Sequence, residues 1–301
     1  MNYYNEIKNK LIDNEVYKRV KDYSKNRNDL STYYEVGRLL IEAQGGENRA
    51  KYGNGLIKEY SKRLTSELGK GYTFTALSRM RQFYVLSEKV ATLSQQLSWS
   101  HYSELLSLND VNEINYYISI TESYNLSVRE LRERIKNKEY QRLDDNTKLK
   151  LINKEEVNVN DFIKNPIIIK DRLGIDKENI SEKILQRLII EDIEGFMKEL
   201  GDGFCFIGSE YKIKIGSTYN YIDLLLFNIK FNCYVVIELK VCELKKEHIG
   251  QIEVYMNYID KHIKSINQDK TIGIIISRRD NHYYIEYSSD NRIYTRDYVI
   301  S

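Results

Sequence analysis

At 301 residues, 42% hydrophobic and 30% charged, the chain has the composition of a globular protein long enough for two domains with separate cores. A formal charge of +2 neither marks nor excludes a nucleic-acid partner, so only the distribution of charge is informative. No stretch approaches the roughly 20 uninterrupted apolar residues of a bilayer span, and the polar start MNYYNEIKNKLIDNE lacks a secretory apolar region, so a cytoplasmic location without membrane contact is expected.

Residues 1–143 read as an all-α domain. Apolar residues recur at three- and four-residue spacing near 3–24, 30–43, 53–68, 73–90, 99–106, 110–123 and 127–140. Good N-cap types precede these runs: Asp29 or Ser31, Thr73, Ser98, Asn109 and Ser127, the last with Glu130 at capping-box spacing. Two helices across the turn GKGY, the second opening TFTALSRMRQFYVLS, predict a helix-turn-helix-like element whose second helix suits a major groove.

Around that element stand Arg49, Lys51, Lys58, Lys62, Arg63, Lys70, Arg79 and Arg81, against the acids Glu59 and Glu67. Lys58, Lys62, Arg63, Lys70, Arg79 and Arg81 are the candidate nucleic-acid contacts. A basic face on a helical bundle serves a DNA or a protein partner equally well, and both readings stand at this point.

Residues 144–180 are polar and weakly periodic, contain the only proline, Pro166, and are expected as a connector. The rest, 181–301, predicts an α/β domain with a mixed sheet. A helix near 181–200, stopped by GDG, is followed by strands FCFIGSEYKIKI, YIDLLLFN and CYVVIELKV, a helix near 245–262, and strands TIGIIIS and HYYIEY. Cys205, Cys233 and Cys242 lack any CxxC spacing and read as small core residues. His101, His248, His262 and His282 are scattered.

Within 219–240, YNYIDLLLFNIKFNCYVVIELK, three charges interrupt apolar strands: Asp223, Glu238 and Lys240. Buried ions cost several kcal/mol unless paired or metal-bound. Glu238 and Lys240, two apart on a strand, share a face. A hairpin turning at Lys230 and Phe231 brings Asp223 opposite Glu238, about 5 Å away between Cβ atoms. Two carboxylates so close need a cation, which Mg²⁺ would supply, and Lys240 beside a metal-activated water can hold the nucleophile. Gln251 and Tyr255, four apart on the next helix with His248 a turn earlier, share one face.

With these residues in place, the C-terminal half resembles the PD-(D/E)XK nuclease superfamily. IDLLLFNIKFNCYVVIELKV followed by GQIEVYMNYID is similar to its YhcG-like family, and so, in the N-terminal half, are LSRMRQFY, LSWSHYSELL and LSVRELRERI. The resemblance implies an α+β two-domain architecture, with a restriction-endonuclease-like C-terminal domain. It implies Asp223 and Glu238 as metal ligands, Lys240 as the catalytic lysine, and Gln251 and Tyr255 as a Gln-x-x-x-Tyr motif.

It also implies an acid from the first core helix, for which Glu182, Glu191 and Glu194 are not separable, while Gln186 stands where an acid is expected. Glu210 is a further contributor. The expected activity is Mg²⁺-dependent DNA endonuclease, with Mn²⁺ as substitute, in DNA processing or defence, with restriction or defence partner proteins and a homodimer for double-strand cleavage. The alternative is a DNA-binding or assembly module that uses the fold without cleavage.

Overall fold

The computed structural model describes residues 3–19, 25–46, 54–90, 93–94, 96–175, 180–279 and 290–301. Arg49, Lys51, His282 and the strand expected at 282–287 lie outside the described residues. The chain divides into two compact units, Met1–Tyr140 and Gln141–Ser301.

The first unit is built from α1 (Tyr3–Arg19), α2 (Lys25–Ala43), α3 (Asn54–Leu68), α4 (Phe74–Ser87), α5 (Trp99–Leu105), α6 (Val111–Tyr124) and α7 (Val128–Lys136). Thr73, Ser98 and Ser127 cap α4, α5 and α7 as expected, the last in a capping box with Glu130. Two expected caps differ. Asp110, not Asn109, caps α6 by accepting from the Asn112 amide. Because α2 starts at Lys25, Asp29 and Ser31 lie inside it, and the Asp29 carboxylate accepts from Asn14 of α1 at 2.9 Å.

Helices α2 and α4 approach closely at Gly37, where an added Cβ would stand 2.2 Å from the Met80 carbonyl oxygen. The α3–α4 turn is held by Ser61 and Thr65, whose hydroxyls donate to the Tyr72 carbonyl at 3.0 and 3.3 Å. Among the described residues no helix is long and apolar enough to cross a membrane.

The second unit runs α8 (Asp145–Asn153), β1 (Ile167–Ile169), α9 (Glu182–Glu191), α10 (Ile193–Leu200), β2 (Phe204–Ile215), β3 (Thr218–Asn228), β4 (Cys233–Glu243), α11 (Lys246–His262), β5 (Asp269–Arg279) and β6 (Ile293–Ile300). Its sheet has the order β1-β6-β5-β4-β3-β2. The strands β2, β3 and β4 form an antiparallel meander, while β4–β5, β5–β6 and β6–β1 pair in parallel. This is the expected mixed sheet. One face packs Leu185, Leu188 and Phe196 of α9 and α10; the other packs Ile252, Met256 and Ile259 of α11.

Three sequence expectations are corrected in this unit, and one strand is added to those expected. The segment expected as a connector carries α8 and β1, because its apolar Ile167–Ile169 run completes the sheet beside β6. The single helix expected over 181–200 is two, broken at Asp192, whose φ of −127° and ψ of 46° leave the helical region. The strand β6, IYTRDYVI, has no counterpart among the expected strands. Of the three cysteines only Cys233 is buried, and burial pushes its thiol up to about 11; Cys205 and Cys242 are exposed.

Candidate active site

The β3–β4 ladder runs from Asn228↔Cys233 to Leu224↔Ile237 and ends there. Beyond it β3 continues paired with β2, and β4 continues paired with β5 through Lys240↔Ser277. The sheet therefore opens into a fork, and the register carried one step further sets Asp223 against Glu238 at its crotch. Asp223 does not extend the ladder through its backbone. Its side-chain Oδ2 instead accepts the Leu239 amide of β4 at 2.8 Å, so a carboxylate spans the opening strands.

Lys240 lies between two acids, its Nζ 3.3 Å from Oε2 of Glu238 and 3.6 Å from Oε2 of Glu182. Glu238 and Lys240 are both buried. Glu182, in the first turn of α9, is thereby the acid of the first core helix that reaches the cluster. Glu191 pairs instead with Arg187, and Glu194 with Lys198. Gln186, one turn beyond Glu182, donates from Nε2 to the Asp223 carbonyl oxygen at 3.0 Å. An amide suits that role where a carboxylate would not, since the carbonyl needs a donor.

Electrostatics follow from this crowding. Burial, then the charge of Asp223, raises the Glu238 carboxyl to about 8, against the pull of Lys240. Burial also raises Asp223, with Glu182 and Glu210 adding repulsion. For Lys240 burial works to lower the value, but Glu238, Glu182 and Asp223 together hold it above the ordinary lysine range. Without a further cation, the favoured state is a charged lysine beside a protonated Glu238. His248, at the start of α11, is held low by burial and by the charge of Lys240.

Glu210 has φ +47° on β2 and stands one position from the Ser209↔Leu224 pair, so it flanks Asp223 across the β2–β3 ladder. Gln251 and Tyr255 do share a face of α11, where Gln251 Nε2 donates to the Tyr255 hydroxyl at 3.0 Å. Among the described residues they bond each other and not the three charged groups, and the Tyr255 ring is part of the core under α11. The Asp223–Leu239 bond and the choice of Glu182 had no sequence signal. The fork had one: charges that break apolar strands at the same level of two neighbours.

These residues fit a hard divalent ion. Glu238 Oε1 is buried without a hydrogen-bond partner, a lone oxygen that a cation would satisfy, and across the fork the Asp223 carboxyl is itself raised, chiefly by burial. Among the described residues no three His, Cys, Asp or Glu side chains form a closed ligand set, and Mg²⁺ sites commonly use only one or two carboxylates, with waters.

In the first unit, Lys58, Lys62, Arg63, Lys70 and Arg79 are exposed. Arg63 stacks on the Tyr4 ring at 3.5 Å and neighbours Glu59 at 3.7 Å. Lys58 lies 6.0 Å from the Phe74 ring. Arg81 is half-buried, its Nε donating to Gln44 at 3.0 Å.

An opened antiparallel pair that carries an acid on one strand and Glu-x-Lys on the other, with helices on both faces, defines a PD-(D/E)XK nuclease-type domain. Residues 160–299 match the YhcG PDDEXK nuclease domain, and residues 9–142 match the DUF1016 N-terminal domain. The C-terminal half is thus a nuclease domain of the YhcG PDDEXK type, and the N-terminal half a DUF1016 N-terminal domain. It is 28% identical to "Putative nuclease YhcG" of Escherichia coli (strain K12), over 82% of this chain and 76% of that protein.

Among solved structures it is similar to "crystal structure of a repair endonuclease from Pyrococcus abyssi", at 18% identity and a TM-score of 0.29 over 41% of this chain and 49% of the other. It is also similar to "Structure of EndoMS-dsDNA2 complex", at 20% identity and a TM-score of 0.30 over 41% and 48%. In both, the chain spans about half the length of the solved chain.

Proposed function

We propose that the protein is a Mg²⁺-dependent DNA endonuclease, with Mn²⁺ able to substitute, acting in DNA processing or defence against mobile DNA. The observation that carries this is Lys240, buried between Glu238 and Glu182 at the fork, with Asp223 opposite and a Glu238 oxygen left without a partner. An arrangement so strained by like charge is costly unless the site has a use for it.

Asp223 and Glu238 would hold the ion, which when bound supplies positive charge to the phosphoryl oxygens and acidifies a water. Lys240 donates to the attacking oxygen and offsets the negative charge that develops on the phosphate. Glu182 orients the Lys240 ammonium through their ion pair, and Gln186 fixes the backbone at Asp223. Gln251, half-buried on the helix that follows β4 and held by its hydrogen bond to the buried Tyr255 hydroxyl, would turn its amide toward the substrate backbone.

The test is nicking of supercoiled DNA by the full-length protein with and without Mg²⁺. Asp223→Ala and Lys240→Ala are expected to lose cleavage by at least about a hundredfold while retaining DNA affinity. Cutting that persists in both variants sinks the assignment, and DNA binding without any nicking by the wild-type protein favours a non-cleaving module.

The helical unit is proposed to hold DNA through Lys58, Lys62, Arg63, Lys70, Arg79 and Arg81, of which all but Arg81 are exposed. Lys62→Glu with Arg79→Glu is expected to weaken duplex binding and to flatten the slope of log affinity against log salt by roughly two or more, about one unit for each phosphate no longer neutralised. An unchanged slope instead assigns this face to a protein partner from a restriction or defence system. A C₂ dimer would bring two sites to the two strands of a duplex.

A further inference from the structure

The β2–β3 hairpin projects past the fork, and residues 211–222 contain no acid. Its two-residue turn has Gly216 at φ +61°, the first central position of the turn type that matches strand twist. This fixes the register Lys212↔Tyr221 and Lys214↔Tyr219. One face of the hairpin buries Ile213 and Ile222 in the core shared with α11. The opposite face presents Lys212, Lys214, Tyr219 and Tyr221 to solvent, both tyrosines 52% exposed. Lys212 Nζ lies 3.8 Å from the Tyr219 ring centroid, and Lys214 Nζ 5.8 Å.

Lysines on an edge strand can serve only to block sheet extension. Two half-exposed tyrosine rings have no part in that protection, and among the described residues neither hydroxyl is hydrogen-bonded. They leave apolar ring surface in water beside two cations and on the same strand as Asp223. At about 3.3 Å per residue, Tyr221 lies roughly 7 Å from Asp223 along β3.

Cations interleaved with exposed aromatic rings form the recurrent solution for holding single-stranded nucleic acid, the cations tracking phosphates and the rings stacking on bases. A base offers a free face to a ring only where it is unpaired, since in a duplex both faces are covered by neighbours.

The geometry points to this hairpin face as a platform that stacks and holds an unpaired strand next to the Asp223–Glu238 fork, so that the preferred substrate carries single-stranded nucleic acid beside the scissile bond. This rests on the nuclease reading of the fork.

Binding is measured by fluorescence anisotropy in EDTA, where cutting does not interfere, with a labelled single-stranded oligonucleotide and a blunt duplex of the same sequence. Tyr219→Ala with Tyr221→Ala in the full chain is expected to weaken single-strand binding about tenfold or more, with duplex binding changed less than about twofold. Tyr219→Phe with Tyr221→Phe, which keeps the rings, restores wild-type affinity. Lys212→Ala with Lys214→Ala lowers the salt slope on the single strand by roughly 1.4, about 0.7 per phosphate. Circular dichroism melts establish that each variant is folded.

Single-strand affinity unchanged in the alanine pair, equal losses on both probes, or failure of the phenylalanine pair to rescue overturns the platform. So does a wild-type protein that binds neither probe. A wild-type protein that prefers the single strand through these tyrosines but nicks nothing leaves the platform standing and removes the nuclease reading; one that nicks while the tyrosine variants bind normally does the reverse.

Discussion

Glu238→Gln is expected to abolish Mg²⁺-dependent strand cleavage, by at least about a hundredfold, and at the same time to stabilise the metal-free protein at pH 8. The two effects have one origin. Burial and the facing Asp223 raise the Glu238 carboxyl from its ordinary value of 4.5 to about 8 in the folded state. Below the unfolded value both states carry the proton. Between the two values the folded state holds a proton that the unfolded state has released, so stability falls as pH rises through that window and levels off above about 8.

Glutamine keeps the shape and has no proton to lose, so its contribution to that slope disappears. At pH 8 the variant gains on the order of a few kcal/mol over wild type, although Asp223, raised in the same direction, retains a slope of its own. Urea melts in EDTA from pH 5 to 9 measure both slopes. Addition of Mg²⁺ at pH 8 should raise the wild-type midpoint through binding to the native state alone and should have much less effect on Glu238→Gln. A variant that cuts normally, or that is less stable than wild type at pH 8, removes Glu238 from the ion site.

Glu199→Ala is expected to cost about 3–5 kcal/mol in the second unit, far from the fork. Glu199, at the end of α10, receives the Arg142 guanidinium, and its Oε1 also accepts the Ile168 amide of β1 at 3.0 Å. Arg142 in turn donates to the Pro166 carbonyl at 2.8 Å. Both side chains of the pair are nearly buried, at 11% and 13% exposed. Removing the carboxylate leaves a buried cation and a strand amide without this acceptor, which is why the loss exceeds that of a surface ion pair. The second unit's melting transition should fall by roughly 10 °C, with hydrogen exchange accelerated first at Ile167–Ile169. Removing both charges, as Arg142→Met with Glu199→Leu, should recover part of the loss. A shift under about 2 °C for Glu199→Ala would show that β1 is held by its sheet pairing alone.

The difference between these two sites explains what was legible in the chain. Asp223, Glu238 and Lys240 stood out because charges inside apolar strands violate the pattern that surrounds them, and the hairpin register needed only local sequence to set two of them level. The ion pair of Arg142 and Glu199 gave no such sign. Each residue is an ordinary charge in a polar context, and they lie 57 positions apart. The same holds for β1: three isoleucines in a polar stretch become a strand only because β6 offers an unpaired edge.

Local pattern along the chain was therefore enough for the two-part organisation, the helical caps at Thr73, Ser98 and Ser127, the order of the meander and the trio at the fork, all of which depend on periodicity and near neighbours. It took the packed molecule to settle which acid of α9 joins Lys240, that Gln186 serves the Asp223 backbone, that the β3–β4 ladder stops at the carboxylate, and that Tyr219 and Tyr221 stand uncovered. Those outcomes depend on where separate elements come to lie against one another, and burial, which sets both the charge of Glu238 and the exposure of the tyrosines, exists only once they have done so.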